Sequence, residues 1–150
     1  MKDIYNVIII IGTRPEAIKL APLIIEFKKN NRFNLRVILT GQHKEMVSQV
    51  MKIFKLSYDV DLSVMKKNQT LSYLTSEIIN KLEVELKNFS PKLLIVQGDT
   101  TSAMAATMAA FYQKIPVGHV EAGLRTNNIY NPYPEEINRR LISQIAALHF

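Results

Sequence analysis

The sequence contains no cysteine. This absence excludes disulfides, metal sites built on thiolates and a cysteine nucleophile, and it agrees with a reducing compartment, so we expect a cytoplasmic protein. Long apolar runs are also missing. The stretch Val7–Ile11 is far too short to cross a bilayer, and Asp3 with Gly12-Thr13-Arg14 makes it a poor signal peptide. We therefore expect neither secretion nor a membrane partner.

A concentrated patch of positive charge is missing as well. The net charge is +6, but the lysines are scattered in short pairs such as Lys28-Lys29 and Lys66-Lys67. Nucleic-acid binding calls for a basic stripe interleaved with aromatic residues, and no such stretch is present. We interpret the charge as a solvated basic surface and expect no nucleic-acid partner. The length and the 47% hydrophobic content are typical of one folded domain.

Apolar patterning indicates an alternation of strands and helices. The continuous β-branched run Val7–Ile11 is typical of a strand buried on both faces, and apolar residues that recur every three or four positions indicate helices. Thr13 is a candidate helix cap, as is one of Thr100, Thr101 or Ser102. We predict strands at Val7–Ile11, Leu35–Thr40, Leu93–Gln97 and Val117–Val120, a short exposed strand within Tyr58–Val64, another beginning at Leu148, and helices ending near Asn30, Phe54, Phe89, Gln113 and Ala147.

This alternation predicts the α/β class, with a doubly wound, mostly parallel, Rossmann-like sheet. Ligands of such sheets bind outside the carboxyl ends of the strands. Each loop there has a structural explanation when taken alone, but a crevice that holds Arg14, Asp99 and Glu121 would combine an anion clamp with two carboxylates. The loops concerned are Gly12–Glu16, Thr40–His43, Gln97–Thr101 and His119–Arg125.

Several chemistries are disfavoured by what these loops lack. The first loop has one glycine where a dinucleotide fingerprint needs three, and it is not a P-loop. No catalytic metal is expected, because Asp99 has no second acid two positions on and the histidines lack metal-ligand spacing. A nucleophile elbow is also absent. His43 and His119 are candidate bases, although a hydrogen-bonded loop histidine is the simpler interpretation of each.

Five motifs, spread over nearly the whole chain, closely resemble those of the bacterial non-hydrolysing UDP-N-acetylglucosamine 2-epimerases. They stand in the same order as in that family. HVEAGLRT followed by PEEINR is highly specific. PEAIK in the first loop favours this branch over the hydrolysing relatives, which release free N-acetylmannosamine. The motifs are GTRPEAIKLAPL (Gly12–Leu23), TGQH (Thr40–His43), QGDTTSA (Gln97–Ala103), PVGHVEAGLRT (Pro116–Thr126) and PYPEEINR (Pro132–Arg139).

The resemblance implies a glycosyltransferase-B-like enzyme of two Rossmann-type domains. Residues 1–150 would be the N-terminal domain, and the C-terminal domain that holds most of the UDP would be absent from this chain. The implied substrate is UDP-N-acetylglucosamine, and the implied product is UDP-N-acetylmannosamine. The reaction would eliminate UDP to form 2-acetamidoglucal and then add UDP back, without a cofactor, in a homodimer. The isolated chain would be inactive.

The resemblance also implies roles for particular residues. Matched motif by motif, Asp99, Glu121 and Glu135 would be the catalytic carboxylates. Asp99 and Glu121 would also contact the substrate, and Arg14 and Lys19 would approach its diphosphate. Glu135 has a second explanation, because an acid in the first turn of a helix is stabilised by the helix dipole.

Two points remain open in the sequence. Gln42 and His43 match a loop that in some members helps to bind a second, activating substrate molecule, but Asn68 stands where those members commonly carry arginine. Two alternative functions also remain: half of a related UDP-sugar glycosyltransferase, supported only by fold analogy, and a non-catalytic nucleotide-sugar-binding module from a truncated gene.

Overall fold

A computed structural model describes residues 4–150, with the exception of the side chain of Lys44. Six strands form one sheet in the order β3-β2-β1-β4-β5-β6, and every neighbouring pair is parallel. This is the strand order of dinucleotide-binding Rossmann sheets. The strands are β1 (Tyr5–Ile11), β2 (Phe33–Leu39), β3 (Val60–Asp61), β4 (Leu93–Gln97), β5 (Val117–Val120) and β6 (Leu148–His149).

Helices cover both faces of the sheet, which confirms the predicted doubly wound α/β fold. Successive side chains of a strand point to opposite faces, so the aliphatic run in β1 supplies both cores. Val7, Ile9 and Ile11 pack with α1 and α2 in one core, whereas Ile8 and Ile10 pack with α3, α4 and α5 in the other. The helices are α1 (Arg14–Lys29), α2 (Lys44–Ile53), α3 (Leu71–Phe89), α4 (Thr101–Tyr112) and α5 (Glu135–Ile145).

The helix boundaries follow from local chemistry. Thr100 is the N-cap of α4, where its side chain accepts a hydrogen bond from the backbone N–H of Ala103, so the structure selects one of three candidate caps. Thr70 caps α3 in the same way. That helix ends at Ser90, whose φ of 49° is left-handed, directly before Pro91. Small side chains of α4 are almost entirely buried, which lets the helix pack closely on the sheet.

The short strand predicted over Tyr58–Val64 is present, but β3 covers only two of these residues, Val60–Asp61. Leu62 and Val64 still donate backbone hydrogen bonds to Leu39 and Thr40, over 2.8 Å and 3.0 Å. Between them, however, Ser63 adopts a left-handed φ of 49°, which breaks the strand geometry. No helix among residues 4–150 is long and apolar enough to cross a membrane.

Candidate active site at the carboxyl edge of the sheet

Three neighbouring parallel strands deliver the predicted site residues to one edge. Arg14 lies just after β1, Asp99 just after β4 and Glu121 directly after β5. Because β1, β4 and β5 are adjacent and parallel, their carboxyl ends lie side by side. The predicted juxtaposition of these residues is confirmed, while their chemical roles stay predictions.

Arg139 connects the two carboxylate-bearing loops, and no pattern in the sequence singles it out beyond its place at the end of PYPEEINR. Its guanidinium donates to the Asp99 carboxylate and to the backbone carbonyl of Glu121. Its side chain is only 6% exposed, against 28% for Asp99. A buried guanidinium needs such acceptors, so Arg139 fixes the loop after β4 relative to the loop after β5.

The Glu121 carboxylate is held from two sides. Its Oε2 atom accepts a hydrogen bond from the Lys19 ammonium at 2.5 Å and another from the Gln97 side-chain amide. Glu121 has a left-handed φ of 61°, an uncommon conformation for a residue with a Cβ. The ion pair between Lys19 and Glu121 is half-exposed, and such pairs contribute at most about 1 kcal/mol to stability. A charged ligand can therefore break this pair at low cost.

The Asp99 loop is also fixed through its backbone. The side-chain amide of Asn138 donates to the Asp99 carbonyl over 2.9 Å, next to the Arg139 ion pair. Both Asn138 and Arg139 are buried on α5. Helix α5 therefore positions the Asp99 loop with two successive side chains, and this function of the last motif was not predicted.

Arg14 and Glu135 are the first residues of two helices. Arg14 opens α1 and is exposed, and Glu135 opens α5 and is half-buried. Neither side chain forms a hydrogen bond or an ion pair with the residues described here. The neighbouring Glu136 is different, because it is buried and accepts hydrogen bonds from the Thr126 N–H and from Arg140, each 2.8 Å long. Glu136 is structural, whereas Arg14 and Glu135 are free to meet a ligand.

A further carboxylate, Glu16, lies buried behind this edge and was not predicted. It is 2% exposed, and it accepts hydrogen bonds from the backbone N–H groups of Gly12 and Thr13 and from the hydroxyl of Thr100. Burial raises the pKa of Glu16 above its ordinary value of 4.5, against the lowering effect of these hydrogen bonds, and the negative charge of Asp99 adds to the rise.

His119 is buried and hydrogen-bonded, as the simpler interpretation had it, but it lies on β5 and not in a loop. Its Nε2 donates to the Gly98 carbonyl over 2.7 Å, which leaves Nδ1 to accept from the Ser143 hydroxyl over 3.5 Å. Burial lowers the pKa of His119 below 6.5, against the raising effect of its hydrogen bond to Gly98, and the positive charges of Arg139 and Arg125 lower it further. The imidazole therefore favours its neutral form and joins β5 to the loop after β4.

Comparison with known proteins assigns the family. The family model described as UDP-N-acetylglucosamine 2-epimerase matches residues 25–150. The chain belongs to this family. It is 53% identical over 145 residues to the UDP-N-acetylglucosamine 2-epimerase of Neisseria meningitidis and 49% identical over 145 residues to that of Bacillus subtilis. These matches cover 97% of this chain, but only 39% and 38% of the relatives.

A solved structure of the Neisseria meningitidis enzyme, bound to UDP-GlcNAc, shows the same fold. The TM-score is 0.94 at 52% identity, over 97% of this chain and 39% of that one. The epimerase-family chain described here thus spans about two fifths of the length of its relatives.

The candidate regulatory residues of this epimerase-family chain, Gln42 and His43, lie on the loop after β2. Gln42 and His43 line a cavity of about 390 Å³ together with Met46 and Met65. Gln42 is anchored there, because the Ser102 hydroxyl donates to its side-chain oxygen over 2.8 Å. His43 is the N-cap residue of α2. Binding of a second substrate molecule at this cavity stays a prediction.

Proposed function

We propose that this chain is the N-terminal Rossmann-like domain of a non-hydrolysing UDP-N-acetylglucosamine 2-epimerase, which interconverts UDP-N-acetylglucosamine and UDP-N-acetylmannosamine. One observation carries the proposal: Asp99 and Glu121 are joined through Arg139 at one sheet edge, with Arg14 and Lys19 beside them. Family membership and the UDP-GlcNAc bound by the Neisseria meningitidis enzyme support it.

The arrangement suits an elimination and addition route. The proton at C2 of the sugar is not acidic, so direct exchange there is slow. When the C1–O bond to UDP breaks, positive charge develops at C1, and a base can then remove the C2 proton to give 2-acetamidoglucal. A proton then adds to C2 from the other face as UDP adds back at C1. This route needs proton-transfer groups at C2, and carboxylates on two neighbouring loops meet that need. It also needs cations on the departing diphosphate, a role that suits Arg14 and Lys19 because they stabilise charge that grows in the transition state.

The remaining half of the site would come from a second domain. The chain covers 39% of the Neisseria meningitidis relative. We propose that a C-terminal domain holds most of the UDP, that the sugar lies in the cleft between the domains, and that the complete enzyme is a homodimer. The carboxylates described above would line the N-terminal wall of that cleft.

The proposal is tested in a two-domain protein, called here the completed enzyme, made by joining this chain to the C-terminal part of the Neisseria meningitidis relative. In deuterated water it should convert UDP-N-acetylglucosamine to UDP-N-acetylmannosamine with deuterium at C2, as observed by NMR. A glycosyltransferase would instead transfer the sugar to an acceptor without exchange at C2. A product mixture that lacks C2 deuterium would contradict the proposed function.

A further inference from the structure

Glu16 has no place in the proposed chemistry, yet it is a buried carboxylate directly behind the site. Taking a carboxylate out of water is costly unless hydrogen bonds replace the water. Glu16 has three such bonds: Oε2 accepts from the N–H groups of Gly12 and Thr13 at 2.5 Å and 2.8 Å, and Oε1 accepts from the Thr100 hydroxyl at 2.6 Å. The first two bonds are local, and the third crosses to another strand end.

Thr100 completes the link. Its hydroxyl donates to Glu16 and accepts from the backbone N–H of Ala103, so both functions of the hydroxyl are used. Thr100 directly follows Asp99, and Glu16 lies two residues after Arg14. One hydrogen bond thus joins the first turn of α1, which carries Arg14, to the loop that carries the proposed catalytic carboxylate Asp99.

We infer that Glu16 and Thr100 are positioning residues, which set the distance between Arg14 and Asp99 through their mutual hydrogen bond. The catalytic part of this inference rests on the proposed function. Proton transfer and leaving-group stabilisation must act on one substrate at the same time, so the start of α1 and the Asp99 loop need a fixed separation. A buried hydrogen bond between them provides it, because an alternative position would leave the Glu16 oxygen without its donor.

The role of Thr100 as a helix cap does not by itself explain its hydrogen bond to Glu16. Thr70 caps α3 by accepting from the backbone N–H of Tyr73 at 3.1 Å, and its hydroxyl forms no bond to another loop in the described part of the chain. Thr70→Val therefore removes a cap of the same kind away from the site. Thr100→Val removes a cap and the link together, and Thr100→Ser keeps both. These three variants separate capping from positioning.

The kinetic test uses the completed enzyme. A displacement of about 1 Å in a positioned group costs up to about 100-fold in rate, so we expect Thr100→Val to lower kcat by about 10- to 100-fold. Its KM should change by less than about threefold, because ground-state binding is mostly retained. Thr100→Ser should restore kcat, and Thr70→Val should leave it unchanged. Equal kcat values for Thr100→Val and Thr70→Val would overturn the inference.

A second readout needs no activity and uses the chain as it stands. Hydrogen exchange of the peptide that contains Gly12 and Thr13, followed by mass spectrometry, reports on a loop far along the sequence from position 100. Thr100→Val should speed exchange in that peptide, and Thr70→Val should not. Unchanged exchange in Thr100→Val would overturn the proposed link, even if the completed enzyme proved inactive. If exchange is faster in Thr100→Val but the completed enzyme without substitutions does not epimerise the substrate, only the proposed function is contradicted.

Discussion

At the residue scale, the geometry of the two carboxylate loops depends on Arg139. A guanidinium is planar and presents its N–H groups in a rigid fork, so it can hold two acceptors at fixed angles. Arg139 uses this property on the Asp99 carboxylate and the Glu121 carbonyl. A lysine would keep the charge but would offer a single flexible ammonium to both acceptors.

Arg139→Lys should therefore slow the completed enzyme while leaving its fold intact. We expect kcat to fall by about 10- to 100-fold, because loosening of a positioned group by about 1 Å has costs of that order. The control is Arg140→Lys, since Arg140 is half-exposed and pairs with Glu136 along the same helix. Steady-state kinetics compare the two variants. Equal losses in both would show that Arg139 has no special part in positioning.

Some residues of the candidate site could be predicted from the sequence, and others could not. Asp99 and Glu121 were predictable because they follow buried strands, and strand ends collect in parallel sheets. The burial of Glu16 was not predictable, since a glutamate in the first turn of a helix is usually an exposed helix cap. The function of Arg139 depends on how α5 packs beside β4 and β5, and that packing is a tertiary property which no local pattern contains.

At the element scale, the close approach of α4 to β1 limits what Gly12 can become. A Cβ on Gly12 would lie 2.6 Å from both Cβ and Oγ of Ser102 on the buried first turn of α4. Gly12→Ala should reduce the free energy of unfolding by about 1–3 kcal/mol through overpacking. Gly123→Ala is the control, because a Cβ there meets nothing within 4 Å. Urea unfolding of the two variants checks the difference, and similar midpoints would contradict it.

His119 makes the contact between β5 and the loop after β4 sensitive to pH. Its pKa in the folded chain lies below the ordinary 6.5, so the unfolded chain binds the proton more readily. The stability contributed by the neutral imidazole is complete above pH 6.5 and is lost as the pH falls through the folded pKa. His119→Gln should therefore be less stable than the unsubstituted chain mainly above that pH.

Urea unfolding of both proteins at pH values of about 7.5, 6.5 and 5.5 measures this dependence. We expect the difference in unfolding free energy to shrink as the pH falls. Because both proteins contain His43 and His149, the comparison isolates His119. A difference that stays constant over this range would mean that the folded and unfolded chains hold the His119 proton equally.

The bounds of elements with a clear apolar pattern could be predicted from the sequence, and those of short irregular elements could not. β4 and β5 have the predicted bounds. β4 is a brief apolar run closed by turn residues, and β5 lies between Pro116 and the loop that begins at Glu121. The alternation around Tyr58–Val64 suggested a longer strand than β3, since a left-handed residue such as Ser63 is invisible in a polar and apolar pattern.

At the scale of the whole molecule, the proposed site is one wall of a cleft. The chain covers 39% of the Neisseria meningitidis relative, and the residues described here supply carboxylates and cations. We predict that the isolated chain catalyses no exchange at C2 of UDP-N-acetylglucosamine and binds UDP weakly at best. Calorimetry with UDP and deuterium incorporation followed by NMR test both parts. Robust C2 exchange by the isolated chain would show that the second domain is dispensable.

The most direct test of the central claim is the turnover of the completed enzyme after each carboxylate is replaced by its amide. Asp99→Asn and Glu121→Gln keep shape and hydrogen bonding but remove proton-transfer capacity, so kcat for C2 exchange should fall by about 10²- to 10⁴-fold in each. Glu83→Gln, on an exposed part of α3, serves as the control. Near-normal kcat in both carboxylate variants would contradict the account, because Asp99 and Glu121 would then be structural.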